Sequence, residues 1–520
     1  MDPLSLDTGL TRRRLIVAGA GAVGAAALAP FVNGEPALAM AQPKRGGTLR
    51  YAAGDAQSKD SLDPALALTS IGTMGLAMIY DNLLDIDVNW RLSPMLAVDW
   101  SHSKNLKQYK FKIRSGVKFH DGTPFTARDV AAQYRRVLTK KVGSAGLSIL
   151  GPVLKQSGIS VPDPTTIVFN LSSPDAFFGV RTTHYTLRIP RAGTTNWLKG
   201  SPGTGPFRNT SFKPGQGFVF VRNPDYWQSG LPYLDGITCV GIPDQATKIA
   251  SLLSGGTDVC DSVPSSSYAQ VSSSSSARLF DLQSPSPFTF DVNGSIKPYS
   301  DVRVQHAMKM ALDRKQLLSI VVGGHGVVSA DSMISPEDPY FPSDLKPFPH
   351  DPAQAKALLS QAGYPNGFSE DVWSTAAYPY LDQAAQIGKA QMAAIGITFN
   401  VKSVSNDQYL AAFLKQPIVM DYGLRQHPLF MFQLYYASTS GSNLSRLHDS
   451  KIDAWIKEFQ ATPKFSKQKE IAGDIMRRYN DVSAELIPFH FSSYFGAKKR
   501  VKGLRPQPFD SIDFRRAYIG

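Results

Sequence analysis

The chain has 520 residues and a formal net charge of +13, from 55 Lys and Arg against 42 Asp and Glu. This length is sufficient for two or more domains with full-sized hydrophobic cores. The basic residues form no dense cluster and no RNA-binding signature, which argues against a nucleic-acid-binding protein, and the nine histidines lack metal-ligand spacing, which argues against a pre-built metal site.

The first 41 residues have the layout of a cleavable export signal. Three arginines at 12–14 precede an apolar stretch over 15–29, and the small residues Ala39 and Ala41 have the spacing of a cleavage site. The paired arginines favour the twin-arginine route, which carries proteins that are already folded. The apolar stretch is shorter than the roughly 20 residues that span a bilayer, so we expect a soluble, periplasmic or secreted product.

The same stretch also matches the glycine fingerprint of a dinucleotide-binding turn, at Gly19–Gly24. A site of that kind would make the protein an NAD-dependent oxidoreductase. It needs a long helix after the glycines and an acidic residue about 20 positions further on. Pro30 and Gly34 would end that helix early, and Glu35 comes too soon. The sequence therefore favours the export signal and predicts no cofactor.

Beyond the export signal, strand and helix patterns alternate along the chain. Thr126 and Asp129 have the spacing of a capping box, which predicts the start of a helix. Apolar residues alternate with polar ones in some segments and recur at helical spacing in others, which predicts strands over 109–113, 167–171 and 288–292 and helices over 452–459 and 471–482. This alternation favours α/β lobes over a sandwich or a helix bundle.

Two further features bear on domain organisation and on folding. Prolines occur at 284–287 and at 487–488, two distant points where the chain could cross between lobes, and two such crossings predict a hinge.

Cys239 and Cys260 are the two cysteines. An oxidising compartment would permit a disulfide between them, but both lie in strand-like segments, so pairing depends on whether those strands are adjacent.

Many short motifs follow one another in the order typical of family 5 of the extracellular solute-binding proteins. This family includes the dipeptide, oligopeptide and nickel receptors of ATP-driven importers, and the chain resembles it nearly from end to end. The longest match is Gly-Val-Lys-Phe-His-Asp-Gly-Thr-Pro-Phe-Thr-Ala-Arg-Asp-Val over 116–130. The other matching segments are 46–49, 61–64, 79–83, 203–207, 221–227, 232–236, 301–303, 311–314 and 362–364.

The resemblance implies an α/β fold of the two-lobe periplasmic binding protein type, with an inserted subdomain in the first lobe and a hinge between the lobes. Applied to this sequence, it predicts a first lobe over 42–285, with the insertion at about 84–200. A second lobe over 286–488 and a return to the first lobe over 489–520 complete the expected arrangement.

The resemblance also implies a function that involves binding and no catalysis. We expect a monomeric receptor that binds a small solute between its lobes and delivers it to the membrane permease of an ABC importer. Two alternatives remain open at this point, a receptor for nickel or another metal chelate and an exported hydrolase that uses the same cleft. No nucleophile elbow, phosphate loop or zinc helix supports an enzyme.

The first lobe and the hinge supply the first group of predicted solute contacts. The resemblance implies that the loop with Gly203 and Thr204 lines the cleft, where glycine lets the backbone approach a ligand. Near the hinge, Phe288, Phe290 and Asn293 are candidates for contacts with the solute. The alternative for the two phenylalanines is that they belong to the hydrophobic core.

The second lobe supplies the remaining candidates. The resemblance implies an aromatic side chain near Trp373 and Tyr378 and an acid near Tyr422, for which Asp421 is the nearest candidate. Here the chain departs from the pattern of receptors that grip both ends of a dipeptide. Residues 376–379 offer no cation, and Gly-Leu at 423–424 stands where the acid is expected. A zwitterionic dipeptide is therefore disfavoured, since burying an unpaired charge is costly.

Other side chains of this region suggest which solutes would suit the cleft. Arg425 and His427 bring hydrogen-bond donors to the loop, and aromatic residues such as Tyr435 are abundant nearby. They would suit a sugar, an opine, an aromatic or amide-rich solute, or a longer peptide held by its backbone. His427 could also complete the coordination of a chelated metal, although a single histidine is more often a hydrogen-bond donor.

Overall fold

The computed structural model describes residues 43–66, 69–197, 202–375, 378–413 and 415–520. The predicted cleavage site at Ala39 and Ala41 lies outside the described residues. Within the described residues, no helix is both long enough and apolar enough to cross a membrane.

The strands are numbered along the chain. They are β1 (Thr48–Ala53), β2 (Leu84–Ile86), β3 (Leu92–Pro94), β4 (Ala97–His102), β5 (Gln108–Ile113), β6 (Leu154–Asp163), β7 (Thr166–Leu171), β8 (Phe207–Lys213), β9 (Gly217–Arg222), β10 (Gly236–Gly241), β11 (Val259–Cys260), β12 (Ala277–Asp281), β13 (Ser286–Val292), β14 (Gly326–Val328), β15 (Phe368–Thr375), β16 (Ile397–Val404), β17 (Ile418–Tyr422), β18 (Leu486–Phe491), β19 (Tyr494–Lys498), β20 (Val501–Lys502), β21 (Arg505–Gln507), β22 (Ser511–Asp513) and β23 (Tyr518–Ile519).

The α-helices are numbered in the same way. They are α1 (Ser70–Ile79), α2 (Ala127–Val137), α3 (Gly146–Leu150), α4 (Phe178–Arg181), α5 (Gln245–Ser254), α6 (Tyr268–Ser272), α7 (Val302–Ala311), α8 (Arg314–Val322), α9 (Pro352–Gln361), α10 (Pro379–Ala393), α11 (Asn406–Ala412), α12 (Pro428–Met431), α13 (Ser450–Ala461) and α14 (Phe465–Val482). Short 3-10 turns lie at Lys140–Val142, Tyr185–Leu187 and Ser265–Ser267, and a π-helical turn lies at Phe432–Tyr436.

The predicted elements are confirmed in type and place. β5, β7 and β13 contain the three predicted strands, and α13 and α14 contain the two predicted helices. The capping box of α2 is complete, because the Thr126 side chain accepts a backbone N–H of the first turn and the Asp129 side chain accepts the N–H of Thr126. Sequence periodicity and cap chemistry were sufficient for these elements because both act over a few residues.

Three sheets organise the described residues. A seven-stranded sheet has the order β12-β19-β11-β1-β10-β9-β8, and a six-stranded sheet has the order β14-β18-β13-β17-β15-β16. A four-stranded sheet, β4-β5-β7-β6, lies within the segment predicted as the insertion. Each of the three has its own hydrophobic cluster, so the chain forms two α/β lobes and an inserted subdomain.

The chain passes between the two large sheets at two short connections. The first joins β12 to β13 over residues 282–285, and the second joins β18 to β19 over residues 492–493. We call these connections the crossings. β18 pairs with β13 as far as Phe491, so the second sheet extends past the predicted limit at residue 488. The exact limits of the lobes remain predictions.

The two cysteines are free and buried. Cys239 on β10 pairs with Tyr51 of β1, whereas Cys260 on β11 pairs with Ala52 on the other side of β1. Two strand spacings, about 9.5 Å, separate them, which exceeds the reach of a disulfide, and successive positions on β1 face opposite sides of the sheet. The open question of their pairing is therefore answered: the strands are not adjacent.

Candidate functional site

A cluster of aromatic rings lies at one edge of the six-stranded sheet, beside both crossings. β15, β17 and β18 run in the same direction and β13 runs opposite to them, so the ends of the first three and the start of β13 meet at this edge. Tyr422 ends β17 and Phe491 ends β18, while Tyr378 and Tyr380 lie at the start of α10. We call these four residues the tyrosine wall.

The rings of the tyrosine wall are in mutual contact and only partly buried. The Tyr422 ring centroid lies 5.8 Å from those of Tyr378 and Tyr380, and the Phe491 centroid lies 6.0 Å from that of Tyr380 and 6.1 Å from that of Tyr422. Burial, followed by the neighbouring Tyr378, raises the pKa of Tyr422 to about 12. The phenols therefore stay neutral at physiological pH and present ring faces together with hydrogen-bonding hydroxyls.

Three carboxyl groups of the second lobe, those of Asp291, Asp421 and Glu485, interact with one another. Asp421 pairs with Thr289 of β13, one position from Tyr422, so its side chain points away from the tyrosine wall. Burial raises the pKa of Asp421 to about 7, and the Tyr409 hydroxyl lies 3.3 Å from its Oδ1. Burial and the Asp421 charge raise the pKa of Asp291 well above its usual range, and burial also raises that of Glu485.

The structure brings some predicted contacts together and keeps others apart. Tyr378 and Tyr422 share the tyrosine wall. The Tyr435 hydroxyl lies near Gly423, where a Cβ would be 3.8 Å from it, and burial followed by the charge of Asp421 raises the pKa of Tyr435. Asn293 follows the far end of β13, about 17 Å along the strand from Phe288, which pairs with Tyr422. Its side-chain oxygen accepts hydrogen bonds from the Ser295 N–H and hydroxyl.

Trp373 lies away from the tyrosine wall, whereas Phe288 lies directly behind it, with its ring centroid 6.3 Å from that of Tyr380. Trp373 pairs with Val419, so it shares the face of Asp421 and is partly buried. Phe288 and Phe290, also predicted as solute contacts, are both 0 % exposed inside the core of the second lobe. Phe288 stacks on Phe489 with centroids 4.8 Å apart. The alternative named for the two phenylalanines, membership of the core, is the one observed.

The loop with Gly203 and Thr204 has a structural reason for its glycines. A Cβ at Gly203 would lie 1.9 Å from the carbonyl oxygen of Ile79, so glycine is needed where the loop packs on the end of α1. The Thr204 hydroxyl donates to Oδ2 of Asp81 at 3.0 Å, and Thr204 is buried. Glycine at this position therefore allows a close approach to Ile79 of the same chain, whereas the prediction was a close approach to a ligand.

Arg425 and His427 take part in a contact between the inserted subdomain and the second lobe. The Arg425 guanidinium lies over the Trp90 ring at 4.5 Å, and its Nη2 donates to Oδ2 of Asp338 at 3.1 Å. Trp90 Nε1 donates to the same oxygen at 2.8 Å. Arg425 Nη1 also donates to the carbonyl of Gln283 in the first crossing, at 3.3 Å. We call Trp90, Asp338, Arg425 and His427 the interlobe contact.

His427 is enclosed by aromatic rings within the interlobe contact. Its ring centroid lies 5.3 Å from that of Trp90, 4.9 Å from Phe177 and 5.3 Å from Tyr340. Burial, followed by the charges of Arg181 and Arg425, lowers the pKa of His427 to about 3, so it is neutral. Its Nδ1 accepts the backbone N–H of Leu429 at the start of α12. Nδ1 of His427 and both Nη atoms of Arg425 therefore have partners within the protein, whereas Nε2 of His427 and Nε of Arg425 have none among the described residues.

A buried ion pair lies close to His427 of the interlobe contact. Arg181 Nε lies 2.5 Å from Oδ2 of Asp175, and both side chains are 0 % exposed. Beside them, the Ala176 N–H donates to the carbonyl of Gln460 at 2.7 Å, and the rings of Phe177 and Phe459 stack at 4.8 Å. The inserted subdomain and the second lobe thus share one hydrophobic cluster.

Sequence reasoning missed Trp90 and Asp338. They lie 248 positions apart, and no local pattern links two such distant residues. Among the described residues, no group of three or more His, Cys, Asp or Glu side chains is arranged to hold a metal ion.

Comparisons with known proteins agree with this architecture. Residues 91–443 match the model of bacterial extracellular solute-binding proteins, family 5 middle. The chain is 28 % identical to the glutathione-binding protein GsiB of Escherichia coli strain K12 over 387 residues, which are 73 % of each chain. NikA from Brucella suis, solved with Fe(III)-EDTA, is similar in fold, with a TM-score of 0.81, 20 % identity, and coverage of 91 % of this chain and all of that one.

DppA from Helicobacter pylori, solved with the peptide STSA, is also similar in fold, with a TM-score of 0.76 and 21 % identity over 92 % of this chain and 98 % of that one. The predicted two-lobe periplasmic binding protein fold is confirmed by these structures. The family model covers more than half of the chain. The chain therefore belongs to the extracellular solute-binding proteins of family 5.

Proposed function

We propose that this protein is an exported receptor that binds a small, peptide-like organic solute between its lobes and delivers it unchanged to the permease of an ABC importer. The observation that supports this most is the tyrosine wall. It presents partly exposed rings and hydroxyls at the sheet edge that carries both crossings, where the two lobes meet. Clefts at domain boundaries with aromatic walls are the usual sites for small organic ligands.

Binding in this proposal shifts the protein toward a closed state. A solute that touches both lobes stabilises the closed arrangement, because only that arrangement makes both sets of contacts. The interlobe contact joins the inserted subdomain to the second lobe without a solute. The solute therefore has to supply less of the free energy of closure. The permease then recognises the closed form.

The charges around the tyrosine wall define the class of solute. The wall itself is neutral, Arg425 is paired with Asp338, and Asp421 points to the other face of the sheet. These residues do not supply the two opposite charges that would hold both ends of a short zwitterion. We therefore propose recognition of amide and ring groups by Tyr378, Tyr422 and Tyr435. Glutathione, which a relative is named for binding, is the first solute to test.

The remaining predictions belong to the same proposal. Residues 1–41 are removed during twin-arginine export, with cleavage after Ala41, and the mature protein is a periplasmic or secreted monomer. The other predicted solute contacts stay predictions: Gly203, Thr204, Phe288, Phe290, Asn293, Trp373, Asp421, Arg425 and His427. The metal-chelate receptor and the exported hydrolase stay alternatives.

One experiment tests the function and separates these alternatives. Small-angle X-ray scattering would compare the purified mature protein with and without glutathione, a set of dipeptides, an opine and a nickel–histidine chelate, and mass spectrometry would follow each solute. We expect one organic solute to reduce the radius of gyration and to remain intact. Compaction by the nickel chelate alone would favour the metal receptor. Consumption of the solute would favour the hydrolase and contradict the proposal.

A further inference from the structure

Three side-chain nitrogens at the boundary between the inserted subdomain and the second lobe are buried without a hydrogen-bond partner. They are Nη2 of Arg181, Nε of Arg425 and Nε2 of His427, and none of them has a partner among the described residues. The three residues are 0 %, 8 % and 1 % exposed. We call these three nitrogens the donor cluster.

All three nitrogens carry a proton. A guanidinium has N–H groups on each of its nitrogens. Nδ1 of His427 accepts the backbone N–H of Leu429 at 3.2 Å, so the neutral ring carries its one proton on Nε2. The donor cluster therefore offers N–H groups and no acceptor, and the group that matches it is an acceptor.

The members of the donor cluster are neighbours around two aromatic rings. The guanidinium carbon of Arg181 lies 5.5 Å from the ring centroid of Phe430, and the His427 centroid lies 6.2 Å from the same ring. The Arg425 guanidinium and the His427 ring share Trp90 in the same way, at 4.5 Å and 5.3 Å. Accordingly, after burial, the charges of Arg181 and Arg425 both lower the pKa of His427.

One unpartnered arginine N–H would not indicate a ligand. Nε of Arg314 also lacks a partner among the described residues, but the other nitrogens of that guanidinium bond to groups of the second lobe alone. Each buried donor without a partner costs about 1–3 kcal/mol, and ring faces are weak acceptors that do not replace a full hydrogen bond. Three such donors around the same rings set the donor cluster apart.

The donor cluster draws on both sides of the boundary between the lobes. Arg181 lies in α4 of the inserted subdomain, whereas Arg425 and His427 lie between β17 and α12 of the second lobe. Separation of the lobes would expose the three donors, and closure around an acceptor would give them partners. An acceptor bound here therefore stabilises the closed state.

The charges nearby define the kind of acceptor. Arg181 is paired with Asp175, Arg425 is paired with Asp338, and His427 is neutral. A carboxylate would add a third negative charge beside two guanidinium groups that are already neutralised. A neutral acceptor completes the hydrogen bonds without an added charge, and the carbonyl oxygen of an amide is the neutral acceptor that a peptide-like solute carries.

We propose that the donor cluster binds an amide carbonyl of the solute. This inference rests on the proposed receptor function, adds Arg181 to the solute contacts and names the amide as the group that both lobes hold after closure. Arg425 Nη1 donates to the carbonyl of Gln283 in the first crossing, and Arg425 follows Tyr422 by three residues. The donor cluster and the tyrosine wall thus both lie beside this crossing.

Two substitutions of His427 separate binding from structure. H427N keeps an acceptor at the place of Nδ1, which caps α12, and has no group at the place of Nε2. H427Q keeps an N–H group at the place of Nε2 and loses the cap. The probe is N-methyltrifluoroacetamide, a neutral amide that fluorine NMR can follow without knowledge of the solute.

We expect H427N to bind the probe about tenfold more weakly than the wild type, as for the loss of one hydrogen bond, and H427Q to bind it like the wild type. Melting temperatures should show the opposite order, with H427Q lowered and H427N unchanged. H102N is the matched control, because His102 is exposed and lies outside the donor cluster.

Each outcome decides the proposal. A wild-type protein that does not bind the amide probe would overturn it, as would tighter binding of trifluoroacetate, which carries a carboxylate. Probe binding by H427N like that of the wild type, or equal weakening in H427N and H427Q, would give His427 a structural role alone and would also overturn it. R425K keeps a charge beside Asp338 but lacks Nε, so it supplies the same test if H427N fails to fold.

The scattering experiment above tests the receptor function separately. If a solute compacts the protein while H427N binds the amide probe like the wild type, the receptor function stands and the donor cluster fails as a binding site. If no solute compacts the protein while H427N loses probe binding, the receptor function fails and the amide site stands.

Discussion

The interlobe contact and the tyrosine wall both lie where the lobes meet, yet their polar groups are used differently. In the interlobe contact, Asp338 accepts from both Trp90 and Arg425, and the pair is almost fully buried. In the tyrosine wall, Tyr378 and Tyr422 keep part of their surface exposed. The ion pair of the first region forms without a ligand and holds the lobes together, whereas the second region leaves surface for a molecule from outside.

The largest effect is expected beneath the interlobe contact. Asp175→Ala would leave Arg181 buried without its carboxylate, which should reduce the free energy of unfolding by about 3–5 kcal/mol. Urea denaturation would measure it. Asp121→Ala is the control, because it breaks an exposed pair with Arg191 worth about 0–1 kcal/mol. Similar losses in both variants would contradict the structural role given to Asp175.

A smaller effect is expected within the interlobe contact itself. Trp90→Phe keeps an aromatic ring over Arg425 but removes the N–H that donates to Asp338, a hydrogen bond to a charged group worth about 1.5–3 kcal/mol. We expect the solute-free protein to open, with a larger radius of gyration in X-ray scattering. Trp100→Phe, in the sheet of the inserted subdomain, should leave the radius unchanged. An unchanged radius in both variants would show that the contact does not hold the lobes.

The tyrosine wall should affect binding and leave stability almost unchanged. Tyr422→Phe removes one hydroxyl, so we expect about tenfold weaker binding of the solute that compacts the wild-type protein, or about 1.4 kcal/mol, measured by calorimetry. Phe288→Ala, at the position paired with Tyr422, should instead lower the free energy of unfolding by about 3–5 kcal/mol. Unweakened binding by Tyr422→Phe would remove its hydroxyl from the proposed site.

The smallest effect concerns the carboxyl groups behind the wall. The pKa of Asp421 is raised to about 7 in the folded protein, so the folded state holds a proton that the unfolded state releases near pH 4. Stability from this group is therefore complete below about pH 4 and is lost as the pH rises toward 7, by at most about 1.4 kcal/mol per pH unit. Asp291 and Glu485, which face Asp421, shift in the same direction.

Thermal unfolding between pH 5 and pH 8 would measure this dependence. Asp421→Asn cannot ionise at that position, so its melting temperature should vary less with pH than that of the wild type. Asp453→Asn, on the surface helix α13, is the control and should follow the wild type. A steeper pH dependence in Asp421→Asn would contradict the raised pKa.

Local chemistry made much of the fold predictable from the sequence. The cap at Thr126 and the alternation around Phe288 act between near neighbours, and the ordered motifs identified the family. The site was less predictable, because the role of a side chain depends on distant partners. Arg425 was predicted as a solute contact because it brings hydrogen-bond donors to its loop, whereas in the folded chain it pairs with Asp338, 87 positions away. The alternation predicted that Phe288 lies on one face of a strand, but it did not predict that this face is covered by the hydrophobic core of the second lobe.

The separation of Cys239 and Cys260 by β1 also has a consequence for biogenesis. A chain whose two thiols cannot reach each other needs no oxidant or disulfide isomerase to acquire its native fold. Folding can then be completed under reducing conditions, which is compatible with the proposed export of a folded chain by the twin-arginine route. Burial raises the pKa of the Cys260 thiol to about 12, so the thiol stays protonated and weakly reactive.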